Sequence, residues 1–134
     1  MDGKYGLDVI YEAIPADILQ TEIDTCWVRY AGVDPAEYLK KYAGRAPIVH
    51  LKDFSCTLVK DPDHAPRKDC RLIVPSDFDF RPIGYGLQDI PAIMETVKTL
   101  GTQWVVVEQD AAPEGMTDLE SVEKSRAYLK SIGY

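Results

Sequence analysis

Three short apolar runs in this chain each end in an ionisable residue: Glu22-Ile23-Asp24, Ile48-Val49-His50 and Val105-Val106-Val107-Glu108. A strand sends alternate side chains to opposite faces, so Glu22 and Asp24 share one face and Ile23 takes the other. Strands are predicted over 20–25, 47–52 and 103–108. The β-branched stretch from Trp104 to Val107 is expected to be buried on both faces. Helical spacing fills the intervals. Leu7, Ile10, Tyr11 and Ile14 give one apolar face of a helix that Pro15 ends. Asp34-Pro35 caps and opens a second helix, carrying Tyr38, Leu39 and Tyr42, with Gly44 at its end. Asp89 starts a third, whose core positions are Ile90, Ile93, Met94, Val97 and Leu100, and Gly101 ends it. The last begins at Thr117 or Asp118 and presents Leu119, Val122, Tyr128, Leu129 and Ile132 as its apolar face.

This alternation of strand and helix is the pattern of an α/β protein, either a β/α barrel or a doubly wound sheet. In both, ligands gather at the carboxyl ends of the strands, where Asp24, His50 and Glu108 stand. One imidazole and two carboxylates suit a divalent ion such as Mn²⁺, Zn²⁺ or Co²⁺. The long connection from Phe54 to Pro82 interrupts the alternation. Loops of that length are commonly lids or excursions, and Thr57-Leu58-Val59 could pair with Arg71-Leu72-Ile73-Val74 as a hairpin above the site. Gly84-Tyr85-Gly86 precedes a helix and could cradle a phosphate through backbone N–H groups. No Gly-x-Gly-x-x-Gly unit follows a strand, which excludes a dinucleotide fingerprint.

Composition narrows the classes. With 46% hydrophobic and 28% charged residues the chain is an ordinary globular domain of 134 residues. A full (β/α)8 barrel takes roughly 250 residues, so a partial barrel of about three βα units is expected. The net charge of −7 argues against a nucleic-acid partner, because phosphate binding needs a basic stripe. Cys26, Cys56 and Cys70 form no CxxC pair. With no apolar N-terminal signal and no long apolar run, the expectation is a cytoplasmic chain with reduced thiols and no membrane partner.

The stretches EIDTCWVRYAGVDPAEYLKKYAGRAPIVHLKDF and PIGYGLQDIPAIMETVKTLGTQWVVVEQD resemble the C-terminal half of the sugar phosphate isomerase/epimerase family. These are xylose-isomerase-like TIM barrels. The resemblance runs from about Tyr5 to Tyr134 and is weakest between Ser55 and Asp79. It implies a single domain over 1–134 and a divalent metal (Mn, Zn, Co or Mg) held by Glu, Asp, His and Glu from four successive strands. Asp24, His50 and Glu108 match the last three, and the first Glu is expected on a strand upstream of Met1.

The resemblance also implies that Glu108 is both a ligand and a proton-transfer group. Lys52 and Arg81 would be substrate-facing, Lys52 holding a phosphate or enediolate oxygen, and Trp27 would wall the pocket from the loop after the strand. Asp110 is a candidate to support the ligands. Plainer roles exist for each: a turn cap for Asp24, a structural imidazole for His50, solvated charges for Lys52 and Asp110. The implied activity is metal-assisted proton transfer on a ketose or polyol, with a sugar or sugar phosphate as substrate, once a partner half completes the site. The alternative is a non-catalytic half-barrel or binding module with a relic metal site. A homo-oligomer or an N-terminal half-barrel partner is expected in either case, because a slice of a barrel exposes sheet edges.

Overall fold

The computed structural model describes residues 4–56 and 76–134. The proposed hairpin over 57–59 and 71–74, together with His64 and Cys70, lies outside the described residues. Among those described, β1 (Glu22–Asp24), β2 (Ile48–Leu51) and β5 (Trp104–Val107) form a parallel sheet in the order β1-β2-β5. Around it lie α1 (Gly6–Ala13), α2 (Thr25–Tyr30), α3 (Pro35–Lys40), α4 (Ile90–Thr99) and α5 (Asp118–Ser131). The long connection is anchored by a short antiparallel pair at its two ends, β3 (Asp53–Ser55) and β4 (Asp79–Arg81).

The register explains where the core forms. Ile23 is opposite Val49 and Val49 is opposite Val105, so all three face one side. That side packs against Leu39, Ile90, Ile93 and Val97 of α3 and α4. Burying an aliphatic side chain of this size contributes roughly 1.5–3 kcal/mol, and this layer is the main stabilising feature. The helix caps follow the sequence: Asp34 accepts from the Glu37 N–H, Asp89 accepts from the Ala92 N–H, and Thr117 forms a reciprocal capping box with Glu120.

Three expectations about burial are corrected. The strand from Trp104 to Val107 is not buried on both faces: Trp104 is 69% exposed and Val106 is 41% exposed. Both share the face of Asp24 and His50, which no described helix covers, and β5 is the edge of the described sheet. In α1 the buried residue is Asp8, while Leu7 and Ile10 are exposed. The Asp8 carboxylate accepts from the hydroxyls of Tyr38, at 2.9 Å, and Tyr42, and pairs with Lys41 at 2.6 Å. Those three partners outweigh the cost of burial. In α5 the buried positions are Ser121, Ser125 and Leu129, and Leu119 and Val122 face outward. Small side chains are required there because α5 comes very close to the loop before α4: the Ile83 N–H donates to Ser125 Oγ at 2.9 Å, and a Cβ on Gly84 would sit 2.4 Å from the Tyr128 ring.

Asp8 has a pH signature. Burial pushes its carboxyl up, but the Lys41 ammonium and the two tyrosine hydroxyls bring it below the usual carboxylate range. A depressed folded-state value means the stabilisation is present above the unfolded value, roughly pH 4, and is lost as pH falls through the folded one. Asp8→Asn is expected to cost about 1.5–3 kcal/mol at pH 7, and the gap from wild type should shrink toward pH 3. Urea unfolding at both pH values measures this; a gap of the same size at pH 3 contradicts it.

Candidate metal centre

The site is built where the three parallel strands run out. β1 ends at Asp24, which caps α2: its Oδ1 accepts from the Cys26 N–H at 2.8 Å and the Trp27 N–H at 3.4 Å. The plainer role expected for Asp24 is therefore real, and it occupies one oxygen. The other, Oδ2, faces Lys52 Nζ at 3.7 Å. Burial raises the Asp24 carboxyl, against the lowering by Lys52 and the two N–H donors. Thr25 ties the strand ends together. Its buried hydroxyl donates to the His50 carbonyl at 2.9 Å and accepts from the Lys52 N–H at 3.2 Å.

His50 stands opposite Asp24 in the ladder. Its Nδ1 lies 2.7 Å from Glu108 Oε2, and its Nε2 contacts Glu22 Oε1. Glu108 is fixed at the end of β5, because its N–H donates to the Leu51 carbonyl at 3.1 Å and extends the ladder by one bond. One ligand atom from each of Asp24, His50 and Glu108 falls within a 4.8 Å cluster. The donor set fits a divalent ion: two carboxylates and an imidazole, with Asp24 Oδ2 left over from the helix cap. Among the described residues no other group of three such side chains is found.

Lys52 is buried, not solvated. Its Nζ contacts Asp110 at 2.8 Å, Glu108 at 3.4 Å and Asp24 at 3.7 Å. Burial lowers its affinity for a proton, but the Asp110 hydrogen bond and the neighbouring carboxylates raise the value overall. The ammonium also lies over the rings of Phe80, at 4.9 Å from the centroid, and Trp27, at 5.6 Å. Trp27 belongs to α2 rather than to a loop, and it stacks on Phe78 at 5.8 Å. Phe78 in turn stacks on Phe54 at 5.1 Å, so an aromatic wall borders the cation. Arg81 is on β4, and its guanidinium donates to Ser55 Oγ and pairs with Asp79, both at 2.9 Å. Cys26 is a fully buried thiol pushed far up by burial, in keeping with packing rather than reactivity.

The phosphate cradle expected at Gly84 and Gly86 is already filled. The carboxylate of buried Asp53 accepts from the N–H groups of Gly84 (3.0 Å), Gly86 (2.9 Å), Gln88 (3.1 Å) and Phe54 (2.9 Å). An internal anion satisfies the donors that a ligand phosphate would have used. Sequence reasoning missed Asp53, Thr25 and Glu22 as parts of the site. Glu22 carried a usable signal, since it shares the face of Asp24, whereas Asp53 meets residues some thirty positions away and had none.

No protein-family model and no curated protein matches the chain. Four solved chains match it. One is a sugar phosphate isomerase/epimerase from Parabacteroides distasonis, 23% identical, with a TM-score of 0.70 over 98% of this chain and 37% of that chain. The present chain thus spans a little over a third of the length of that structure. The likeness establishes the fold as a partial (β/α)8 barrel. No described helix is long and apolar enough to cross a membrane.

The closeness of the 84–88 loop to Asp53 generates a prediction. A Cβ on Gly86 would lie 2.3 Å from Asp53 Oδ1 and 2.4 Å from the Phe54 carbonyl oxygen. Gly86→Ala is expected to lose about 1–3 kcal/mol, read by urea unfolding. A change below about 0.5 kcal/mol, the range of ordinary surface substitutions, contradicts the cradle.

Proposed function

We propose that this chain carries three of the ligands of a divalent metal site for isomerisation or epimerisation of a sugar or sugar phosphate, completed by an N-terminal half-barrel or by a second copy of the chain. The observation that carries the reading is the convergence of Asp24, His50 and Glu108 at the carboxyl ends of three adjacent parallel strands. The likeness to a sugar phosphate isomerase/epimerase agrees with it. A bound divalent ion would polarise a substrate carbonyl and its neighbouring hydroxyl, acidifying the C–H between them. Glu108, partly exposed at the rim, is the carboxylate able to take or return that proton. Lys52 stabilises a developing negative oxygen, and its hydrogen bond to Asp110 holds the ammonium in place independently of Asp24 and Glu108, which would hold the ion. Trp27 walls the substrate side, and Arg81 reaches a substrate phosphate after leaving Asp79.

A second acid is needed on the other face of the sugar, and the reading assigns it to the partner. Two features support a partner. Trp104 and Val106 leave the inner face of the sheet uncovered. Beside the free edge of β1, a groove of about 300 Å³ is lined by Tyr5, Leu7, Ile23, Trp27, Val28 and Val33, among others. An N-terminal half-barrel would place a strand there; a second copy of this chain is the other occupant. The alternative of a relic site on a non-catalytic module is favoured by one observation: Lys52 already contacts Asp24, Glu108 and Asp110 and offsets part of their charge.

The isolated chain is expected to bind Mn²⁺ or Zn²⁺ weakly in calorimetry and to show no ketose epimerase activity. Adding an N-terminal half should tighten binding and produce turnover in a sugar-conversion assay. In that complex Asp24→Ala, His50→Ala and Glu108→Ala should each abolish turnover while the far-ultraviolet circular dichroism stays unchanged. Full activity in all three variants sinks the site assignment. A complex that forms and binds no metal supports the relic reading instead.

A further inference from the structure

Glu22 precedes Asp24 by two strand positions, on the same face, and is opposite Ile48 in the ladder. Its carboxylate reaches forward to His50, where Oε1 contacts Nε2. The other ring nitrogen, Nδ1, is turned to Glu108 at 2.7 Å. The two nitrogens lie on opposite flanks of the imidazole, and the hydrogen bond at one fixes which nitrogen is left for a ligand. His50 is partly exposed, and its ring orientation is set by what its two nitrogens meet, Glu22 on one side and Glu108 on the other. A flipped ring would aim carbon at Asp24 and Glu108. Glu22 is outside the cluster of donor atoms formed by Asp24, His50 and Glu108, so its contact is with the ring and not with the ion position.

We propose that Glu22 is a positioning residue: it accepts a hydrogen bond from His50 Nε2–H and so keeps Nδ1 on the Glu108 side of the ring. The purpose of this hold rests on the metal reading above, but the hold itself does not. Acceptors on the far nitrogen of a ligating histidine typically matter by 10–100-fold in metal affinity.

The test uses two readouts on the full chain. The chain has two histidines, His50 and His64, so His64→Gln leaves one imidazole to observe. In ¹⁵N-labelled, metal-free protein, the His50 Nε2 proton is expected to exchange slowly with water and to give a resolved signal. Glu22→Ala should abolish that signal, and Glu22→Gln, which keeps a carbonyl acceptor, should restore it. In competition titrations, Glu22→Ala should weaken Zn²⁺ binding by about 10–100-fold, with Glu22→Gln recovering most of the loss. An Nε2 signal unchanged in Glu22→Ala overturns the proposal, and so does a Zn²⁺ affinity unchanged where wild type binds. If no variant binds Zn²⁺, alone or with a partner, but the Nε2 signal still depends on Glu22, the metal reading fails and the hold on the ring stands.

Discussion

In a parallel ladder, residues opposite each other point the same way, and the consequences here reach every part of the site. Asp24 opposite His50, and His50 opposite Val106, put the row that carries the ionisable side chains on the uncovered face and one apolar row on the helix face. The strands are short, three or four residues each, so few bonds define that register. The Thr25 hydroxyl adds two more between the ends of β1 and β2, and the Glu108 N–H adds one between β2 and β5. A slip of one residue would exchange the rows and send Asp24, His50 and Glu108 into the core. The apolar row, Ile23, Val49 and Leu51, makes such a slip costly.

Charge compensation shapes the rest. The carboxylates of Asp24, Glu108 and Asp110, gathered at one end of a sheet, repel one another unless a cation is supplied. Lys52 supplies it, buried among Asp24, Glu108 and Asp110 and bordered by Trp27 and Phe80. A divalent ion would do the same with more charge and shorter bonds. The two arrangements would compete for Asp24 and Glu108, and the hydrogen bond to Asp110 is the contact that would keep Lys52 in place if the others held an ion. Asp53 performs the matching task for backbone donors, collecting the loop N–H groups that lead into α4.

Much of this was legible in the sequence, for physical reasons that also mark where reading stops. Period-two and period-3.6 patterns located the three parallel strands and α1, α3, α4 and α5 but not the short α2, and Asp34, Asp89 and Thr117 marked helix starts because a cap is a local interaction. Which face of a helix is buried is decided by what lies opposite. Leu7 and Ile10 looked like core but are exposed, while Asp8 is buried because Tyr38, Tyr42 and Lys41 surround it. Leu119 and Val122 yielded to Ser121 and Ser125 for a similar reason, the close approach of the Gly84 loop. The glycine pair was visible as a set of N–H donors, but the Asp53 carboxylate that fills it comes from another element. Asp24, His50 and Glu108 could be aligned as strand ends, whereas the Glu22 contact with the ring is a matter of side-chain reach.

The central claim is that Asp24, His50 and Glu108 share one ion. Anomalous diffraction from crystals soaked in millimolar Mn²⁺ tests it most directly. The account predicts an anomalous peak about 2.0–2.2 Å from His50 Nδ1 and from one oxygen each of Asp24 and Glu108, the spacing of imidazole and carboxylate ligands. Lys52 should have withdrawn to Asp110. A peak elsewhere on the chain, with Lys52 still paired to Asp24 and Glu108, would contradict it.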